Sequence, residues 1–338
     1  MKLIATKDAV GHVLCHDITQ IIKDVKKDAV FRKGHIVEEQ DIPILLSVGK
    51  EHLYVWEKTE GMLHEDEAVK ILREICMGQN MHATAPKEGK IELIADCDGL
   101  LKVDSRRLLC VNSLGEMMIA TRKGNTYVKK GMKLAGTRVI PLIIEEEKMN
   151  QAKAAAGESP ILNLLKIERM PVGIVTTGSE VYHHRIKDTF TPVVVERLEE
   201  FGAFAAGHEI CDDQSEMITQ AIKKLIDNGA KMVICTGGMS VDPDDRTPLA
   251  IRQASEEIIT YGAPVLPGAM FMLAYTKDGI PIIGLPGCVM YAKRTIFDKV
   301  LPRLLAKEHL CAQDFYQYGE GGLCLNCDEC RFPDCSFA

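Results

Sequence analysis

The chain has 338 residues, of which 46% are hydrophobic and 26% are charged, and its formal net charge is −7. These values are typical of a folded protein of about two to four domains. The acidic balance argues against a nucleic acid or an anionic membrane surface as partner. No segment reaches the roughly 20 apolar residues of a membrane helix, and the start MKLIATKDAVGH turns polar too early for a signal peptide. We therefore expect a cytoplasmic protein without membrane partners.

The first 158 residues carry no recognisable catalytic pattern and divide into two small predicted modules. Residues 1–60 alternate short strand-like runs with a helix that opens at Asp41, which predicts an N-terminal α+β module. Residues 61–158 begin with a helix predicted over 65–77. Glycine-punctuated strands follow, as in a small β-rich module. A connector helix predicted over 148–157 ends this module before the break at Glu158-Ser159-Pro160.

Residues 159–308 show strand and helix patterns in alternation. Because such alternation produces a parallel sheet covered on both faces, we predict a three-layer α/β domain here. The last helix is predicted over 291–305, with a break at Pro302. The other predicted elements are strands at 172–175, 205–210, 232–235 and 280–285 and helices at 192–201 and 216–227.

Three loops follow predicted strands of this domain: the first loop is 176–180, the second 236–247 and the third 285–288. Since parallel strands end at one edge of a sheet, we expect these loops to gather there. Their glycines let backbone N–H groups approach an anionic ligand. The N-terminus of the helix that starts near Thr247 also favours an anion. The carboxylates of the second loop would repel a phosphate, so a hard cation such as Mg²⁺ would be needed between them. Asp212, at the end of another strand, is predicted to join them.

These motifs make residues 170–306 resemble the molybdopterin-binding domain of molybdopterin adenylyltransferases and molybdopterin molybdenumtransferases. The resemblance is carried by TTGSE at 176–180, TGGMSVDPDDRTP at 236–248 and GLPG at 284–287. Residues 1–150 are similar to the non-catalytic part of the molybdenumtransferases, through DAVGHVLCHDIT at 8–19 and FRKGH at 31–35. The likeness covers nearly the whole chain, but its most specific motifs lie in the α/β domain.

The resemblance implies a pterin dithiolene ligand with a terminal phosphate, molybdate as a second substrate, and a homodimer. It implies that Asp245 and Asp212 hold Mg²⁺ and orient the phosphate or the molybdate, as a templating pair rather than as proton-transfer groups. The loops and the resemblance together predict these binding positions: Thr177, Gly178, Ser179, Glu180, Thr236, Gly237, Gly238, Ser240, Asp242, Thr247, Pro286 and Gly287.

The sequence departs from the family pattern in two places. Residues 187–190 read Lys-Asp-Thr-Phe where the family usually has a Ser-Asn pair. Residues 265–270 read Val-Leu-Pro-Gly-Ala-Met where molybdenumtransferases usually have Lys-Pro-Gly-Lys-Pro. The retained Asp245 favours an enzyme that inserts molybdate into molybdopterin or its adenylylated form. The missing lysines favour a non-catalytic carrier or sensor of the cofactor. A nucleotide-hydrolysing relative that uses the same domain is a third hypothesis.

Residues 309–338 form a cysteine-rich tail outside the family resemblance, with thiols at Cys324, Cys327, Cys330 and Cys335. Thiols at this density in a cytoplasmic protein favour a metal over disulfides. The first three spacings match those of bacterial ferredoxins, whereas the fourth is one residue longer. We therefore predict that the tail binds either Zn²⁺ or an iron–sulfur cluster, and a tail without metal is the third alternative.

Overall fold

The structure is a computed structural model that describes residues 2–22, 26–55, 60–240, 242 and 245–337. Four residues of predicted elements lie outside the described residues. They are Trp56, from a predicted strand, and Val241, Pro243 and Asp244, from the second loop. The chain divides into two compact units. Unit 1 comprises Met1–Asp96, Val103–Arg122 and Gly131–Asn163, and unit 2 comprises Cys97–Lys102, Lys123–Lys130 and Leu164–Ala338. The four-region division made from the sequence stays a prediction.

The secondary structure follows the sequence pattern along most of the chain. The strands are β1 Lys2–Ala5, β2 Ile18–Ile22, β3 Lys26–Phe31, β4 His52–Val55, β5 Met62–His64, β6 Met81–Ala83, β7 Lys90–Ala95, β8 Gly99–Val103, β9 Met117–Thr121, β10 Thr126–Val128, β11 Lys133–Val139, β12 Ile143–Glu145, β13 Leu162–Lys166, β14 Pro171–Thr177, β15 Phe204–Cys211, β16 Met232–Thr236, β17 Glu257–Tyr261, β18 Met272–Tyr275 and β19 Pro281–Leu285. The helices are α1 Asp41–Ser47, α2 Glu65–Cys76, α3 Ser105–Asn112, α4 Glu146–Ala156, α5 Ser179–Tyr182, α6 Phe190–Glu200, α7 Ser215–Asp227, α8 Thr247–Ala254, α9 Ile296–Leu305 and α10 Ala312–Tyr316. None of these described helices is long and apolar enough to span a bilayer.

Unit 1 consists of short antiparallel strand pairs and helices, which confirms the predicted α+β and β-rich character. Strands β6, β7, β11 and β9 form a sheet in that order, and α2 packs on it. Helix α2 begins where it does because His64 accepts a hydrogen bond from the Asp66 N–H, while Glu67 accepts one from the His64 N–H. The connector helix is present as α4, and Gly157 ends it with a φ of 72°.

Unit 2 contains the predicted α/β domain, whose six-stranded sheet has the order β15-β14-β16-β19-β18-β17. Strand β14 pairs in parallel with β15 and β16, and β16 pairs in parallel with β19, which confirms the parallel sheet. Strands β18 and β17 extend the sheet in antiparallel orientation and were not predicted. Each has only four or five residues, and so short an apolar run does not distinguish a strand from a buried loop.

Side chains of the central strands alternate between two apolar clusters, one on each face of the sheet. Ile174 and Ile234 pack with residues of α6 and α9, whereas Val175 and Val233 pack with residues of α7 and α8. All four of these side chains are fully buried. The helices therefore cover both faces, and the predicted three-layer arrangement is confirmed.

The final helix of the predicted α/β domain, α9, begins at Ile296 rather than at Tyr291. Thr295 is extended, with a φ of −141°, and its side chain accepts a hydrogen bond from the Phe297 N–H. The carboxylate of Asp298 accepts a bond from the Thr295 N–H at 2.7 Å and closes the cap. Pro302 does not break the helix. It removes one backbone hydrogen bond, but the burial of the surrounding residues in the core stabilises the helix by more than this loss costs.

Candidate functional site

The first, second and third loops lie side by side at the carboxyl edge of the sheet in unit 2. From β14 the chain crosses to β15 on one side and then returns to β16 on the other, so the order of strands reverses between β14 and β16. The register pairs Thr176 with Thr236, and Thr236 with Leu285. Open α/β sheets bind their ligands at such a reversal. The expected gathering of the three loops is therefore present.

The Gly-Gly turn of the second loop packs against the first loop too closely for any side chain. Gly237 and Gly238 have φ angles of 85° and 55°. A Cβ atom on Gly237 would lie 2.3 Å from the carbonyl oxygen of Thr177. The Thr177 and Thr247 hydroxyl oxygens are 3.1 Å apart and join the two loops. The helix predicted to start near Thr247 is α8, which begins at Thr247 itself.

Asp245 folds the second loop back on itself. Its Oδ2 accepts a hydrogen bond from the Ser240 N–H at 2.7 Å, and its own N–H donates to the carbonyl oxygen of Asp242 at 3.0 Å. The Asp245 side chain is half-buried, whereas Ser240 and Asp242 are exposed. This carboxylate therefore holds the turn that follows the glycines, and its functional role stays a prediction.

Asp213, which the sequence analysis did not select, contacts the first loop more directly than Asp212 does. Its Oδ2 accepts a hydrogen bond from the Ser179 N–H at 2.8 Å, whereas Asp212 lies toward His183, 3.7 Å from its Nε2. Burial raises the pKa of Asp213, and the charges of Glu180, Asp212 and Asp245 raise it further, against the lowering effect of the Ser179 hydrogen bond. The sequence offered two adjacent aspartates, and only the fold shows which one faces the loop.

Asp213→Asn is expected to raise the thermal unfolding midpoint near pH 7. The amide keeps an acceptor for the Ser179 N–H but removes a charge that its neighbours repel. Because the folded-state pKa is raised above the ordinary value of 3.8, ionised Asp213 lowers stability, and this effect disappears as the pH falls through the folded-state value. Melting curves at about pH 7 and pH 4 should show a gain for the variant that shrinks at the lower pH. The exposed Asp227→Asn is the matched control, and an equal gain from both variants would contradict this account.

A cavity of about 660 Å³, here called the loop pocket, opens beside the second and third loops. Six of the residues selected from the sequence line it, and they are Gly237, Gly238, Ser240, Asp245, Pro286 and Gly287. The other selected residues do not line this pocket in the described structure, and they are Thr177, Gly178, Ser179, Glu180, Asp212, Thr236, Asp242 and Thr247. The rest of the lining is largely apolar. It includes residues 266–270, from the segment that departs from the family pattern, and Met239, Met290 and Tyr291, which the sequence analysis missed.

Residues 173–306 match the profile of a family described as "probable molybdopterin binding domain", and residues 3–57 match one described as a domain of unknown function. Residues 173–306 thus belong to the molybdopterin-binding domain family. A CinA-like protein from Mycobacterium avium is 37% identical over 82 residues, which are 23% of this chain and 19% of that protein. A molybdopterin molybdenumtransferase from Synechococcus elongatus is 23% identical over 176 residues, which are 49% of this chain and 40% of that protein. The chain thus spans less than half the length of these curated relatives.

Two solved structures are similar to parts of the chain. The molybdopterin biosynthesis enzyme MoaB from Thermus thermophilus is 22% identical, with a TM-score of 0.36, over 41% of this chain and 98% of that one. A molybdenum cofactor biosynthesis protein from Pyrococcus furiosus is 14% identical, with a TM-score of 0.28, over 90% of this chain and 63% of that one.

The stretch 187–190, where the molybdopterin-binding domain departs from its usual Ser-Asn pair, forms the start of α6. Asp188 Oδ1 accepts hydrogen bonds from the N–H groups of Phe190 and Thr191 at 2.9 and 3.0 Å. Burial alone would raise the pKa of Asp188, but the hydrogen bonds from Thr191 and Phe190 hold it below its usual range. Thr191 in turn contacts Thr176 and His208. The substituted residues therefore begin the helix at Phe190, two positions before the predicted start.

The predicted metal positions are not assembled around a single point. Within the described ranges, no three His, Cys, Asp or Glu side chains are grouped closely enough to hold one metal ion. The carboxylates of Asp213, Glu180 and Asp245 offer the oxygen donors that Mg²⁺ prefers, so the donor chemistry fits even though the geometry is open. The thiols of Cys324, Cys327, Cys330 and Cys335 are all free. The Mg²⁺ and tail-metal assignments therefore stay predictions.

Proposed function

We propose that the loop pocket binds molybdopterin, or its adenylylated form, and that the protein inserts molybdate into it during molybdenum cofactor biosynthesis. The observation that carries this proposal is the position of the pocket. It lies beside the strand-order reversal of a domain that matches the molybdopterin-binding family, and both the glycine turn and the third loop line it. The proposal includes a homodimer and a cytoplasmic location, which the resemblance and the composition imply.

The chemistry of the pocket suits a ligand with a flat ring at one end and a phosphate at the other. Its volume lies within the usual range for small-molecule sites. Met239, Met290 and the 78%-exposed ring of Tyr291 offer apolar and aromatic surface for the pterin. The half-buried backbone of Gly237 and Gly238, which lines the pocket, and the N-terminus of α8 favour the phosphate.

In this proposal Mg²⁺ lies beside the carboxylate of Asp245, which lines the loop pocket, and the phosphate of the ligand would supply further oxygen donors. Burial raises the pKa of Asp213, and the charges of Glu180, Asp212 and Asp245 raise it further; a divalent cation close to these carboxylates would reduce their repulsion. When bound, Mg²⁺ supplies positive charge next to the phosphate and the molybdate. The protein's own part is to fix the second loop, through the bond from Ser240 to Asp245.

A non-catalytic carrier or sensor is the second candidate, and one observation favours it. Residues 266–270 line the loop pocket with Leu, Pro, Gly, Ala and Met, in the segment where molybdenumtransferases usually carry lysines. The described lining of the pocket therefore contains no Lys or Arg. Such a wall binds the uncharged part of a pterin and does little to neutralise a second anion such as molybdate.

An anaerobic reaction separates the two candidates. Purified protein receives adenylylated molybdopterin, Mg²⁺ and molybdate, and AMP release is followed with and without molybdate. AMP release that requires both Mg²⁺ and molybdate supports the insertion enzyme. Tight pterin binding without AMP release excludes the enzyme and leaves the carrier. No binding of either pterin contradicts the whole proposal.

A further inference from the structure

The cysteine tail is packed onto unit 2 by aromatic residues. Phe337 is 2% exposed and joins the core cluster on one face of the sheet. The Lys299 ammonium lies 4.9 Å from the centre of the Phe337 ring, and the Arg294 guanidinium lies 5.0 Å from that of Phe332. Such cation–π contacts fix both rings. The tail is thus anchored at Phe332 and Phe337, on either side of Cys335.

All four tail thiols line one surface cavity of about 340 Å³, here called the tail cavity. Cys324 is half-buried, and Cys327, Cys330 and Cys335 are exposed. Lys293 and Arg294 line the same cavity. Arg331 and Glu329 also line this cavity, and cysteine ligates metals in its thiolate form. Disulfides do not account for the group, since all four cysteines are free.

The arrangement favours an iron–sulfur cluster over a single zinc ion. Zinc needs four sulfurs about 2.3 Å from one point, yet in the described chain no three ligand side chains converge in that way. The four cysteines instead line one cavity. The spacing of Cys324, Cys327 and Cys330 also matches the first three ligands of bacterial ferredoxins.

The tail cavity is joined to both walls of the loop pocket. On one side, the Leu266 N–H donates to the Gly322 carbonyl at 2.8 Å, and the Cys324 N–H donates to the Leu266 carbonyl at 2.8 Å. Leu266 lines the loop pocket. On the other side, the Lys293 ammonium donates to the carbonyl oxygens of Cys327 and Asp328 at 2.9 and 2.8 Å. Lys293 lies two residues after Tyr291, which also lines the loop pocket.

We infer that Cys324, Cys327, Cys330 and Cys335 bind an iron–sulfur cluster in the tail cavity, and that this cluster fastens the two walls of the loop pocket. Each thiol gives up its proton as its sulfur bonds to iron. The cluster orders residues 324–335. The hydrogen bonds of Leu266 and Lys293 to the tail then restrict the motion of segments 264–270 and 288–294 as well. The inference is independent of the proposed function, because neither the binding of the cluster nor its effect on the pocket walls requires a pterin.

The first test measures metal in protein purified without oxygen. We expect iron, acid-labile sulfide and a visible charge-transfer band in the parent. The same signals are expected in Cys110→Ser, which removes an exposed thiol outside the tail. Cys330→Ser and Cys335→Ser should each lose most of the iron and sulfide while keeping the far-ultraviolet circular dichroism of the parent. Tightly bound zinc without sulfide would overturn the cluster, and a parent free of metal would overturn the site.

The second test measures amide hydrogen exchange in the parent before and after chelation of iron. Segments 264–270 and 288–294 should exchange at least about tenfold faster without the cluster, which corresponds to a loss of roughly 1.4 kcal/mol of local protection. Strand β7 of unit 1 serves as an internal reference and should not change. Equal exchange of the two segments in both states would overturn the coupling, whether or not the protein binds a pterin.

Discussion

Gly237→Ala is expected to destabilise the α/β domain by roughly 2–5 kcal/mol and to abolish pterin binding. The φ of 85° is strained for any residue with a side chain. The added Cβ would also lie 2.3 Å from the Thr177 carbonyl oxygen and 2.8 Å from its hydroxyl oxygen. Because the obstacle is backbone, the first and second loops must separate. Urea unfolding measures the stability loss, and titration with molybdopterin measures the binding loss.

Gly279→Ala is the matched control for this substitution. Gly279 has a φ of 75°, similar to that of Gly237, but a Cβ there meets nothing within 4 Å. It should therefore show the conformational cost alone, about 1 kcal/mol, and should bind pterin as the parent does. If the two variants lost equal stability and Gly237→Ala still bound the ligand, close packing of the two loops would not shape the site.

Asp245→Ala is expected to lower the rate of AMP release by at least about 100-fold, if the protein is the proposed enzyme. The substitution removes the acceptor for the Ser240 N–H and a charge from the wall of the loop pocket. Asp245→Asn separates these two effects, because its amide oxygen still accepts the Ser240 hydrogen bond. A role as cation ligand predicts that the asparagine variant binds pterin normally and yet remains inactive.

A different result from Asp245→Asn would assign the residue another role. Recovery of most of the parental rate would show that Asp245 acts by holding the second loop, and the charge would then be dispensable. The dependence on Mg²⁺ gives an independent readout. The parent should reach half-maximal rate at a lower Mg²⁺ concentration than the asparagine variant, whereas a purely structural role predicts the same concentration for both.

The central part of the fold was predictable because its strands are short, continuous apolar runs followed by glycine turns. β14, β16 and β19 each show this pattern, and each lies at its predicted place. The alternation of Ile174 and Val175 between two clusters explains why no polar residue interrupts the run. β17 and β18 were missed because a hairpin of such short strands, separated by a Pro- and Gly-rich loop, lacks both helical period and clear alternation.

The candidate site was only partly predictable, for a physical reason visible in its walls. Gly237 and Gly238 could be selected from the sequence because close backbone approach requires glycine, and Gly287 could be selected through the GLPG motif. Met239, Met290 and Tyr291 carry no such signal, since apolar residues occur in cores and in pockets alike. The choice between Asp212 and Asp213 depends on which of two successive strand-end side chains faces the first loop, and this follows from tertiary packing alone.

The most direct test of the central claim is an anaerobic titration of molybdopterin into the parent, Gly287→Ala and Gly287→Phe. Gly287 is exposed at the start of the third loop's helical turn, and a Cβ there meets nothing within 4 Å, so both variants are expected to fold. The account predicts equal affinity for the parent and Gly287→Ala, and binding at least about 100-fold weaker for Gly287→Phe, whose ring occupies the loop pocket. Parental affinity in Gly287→Phe would show that the pterin does not bind in the loop pocket.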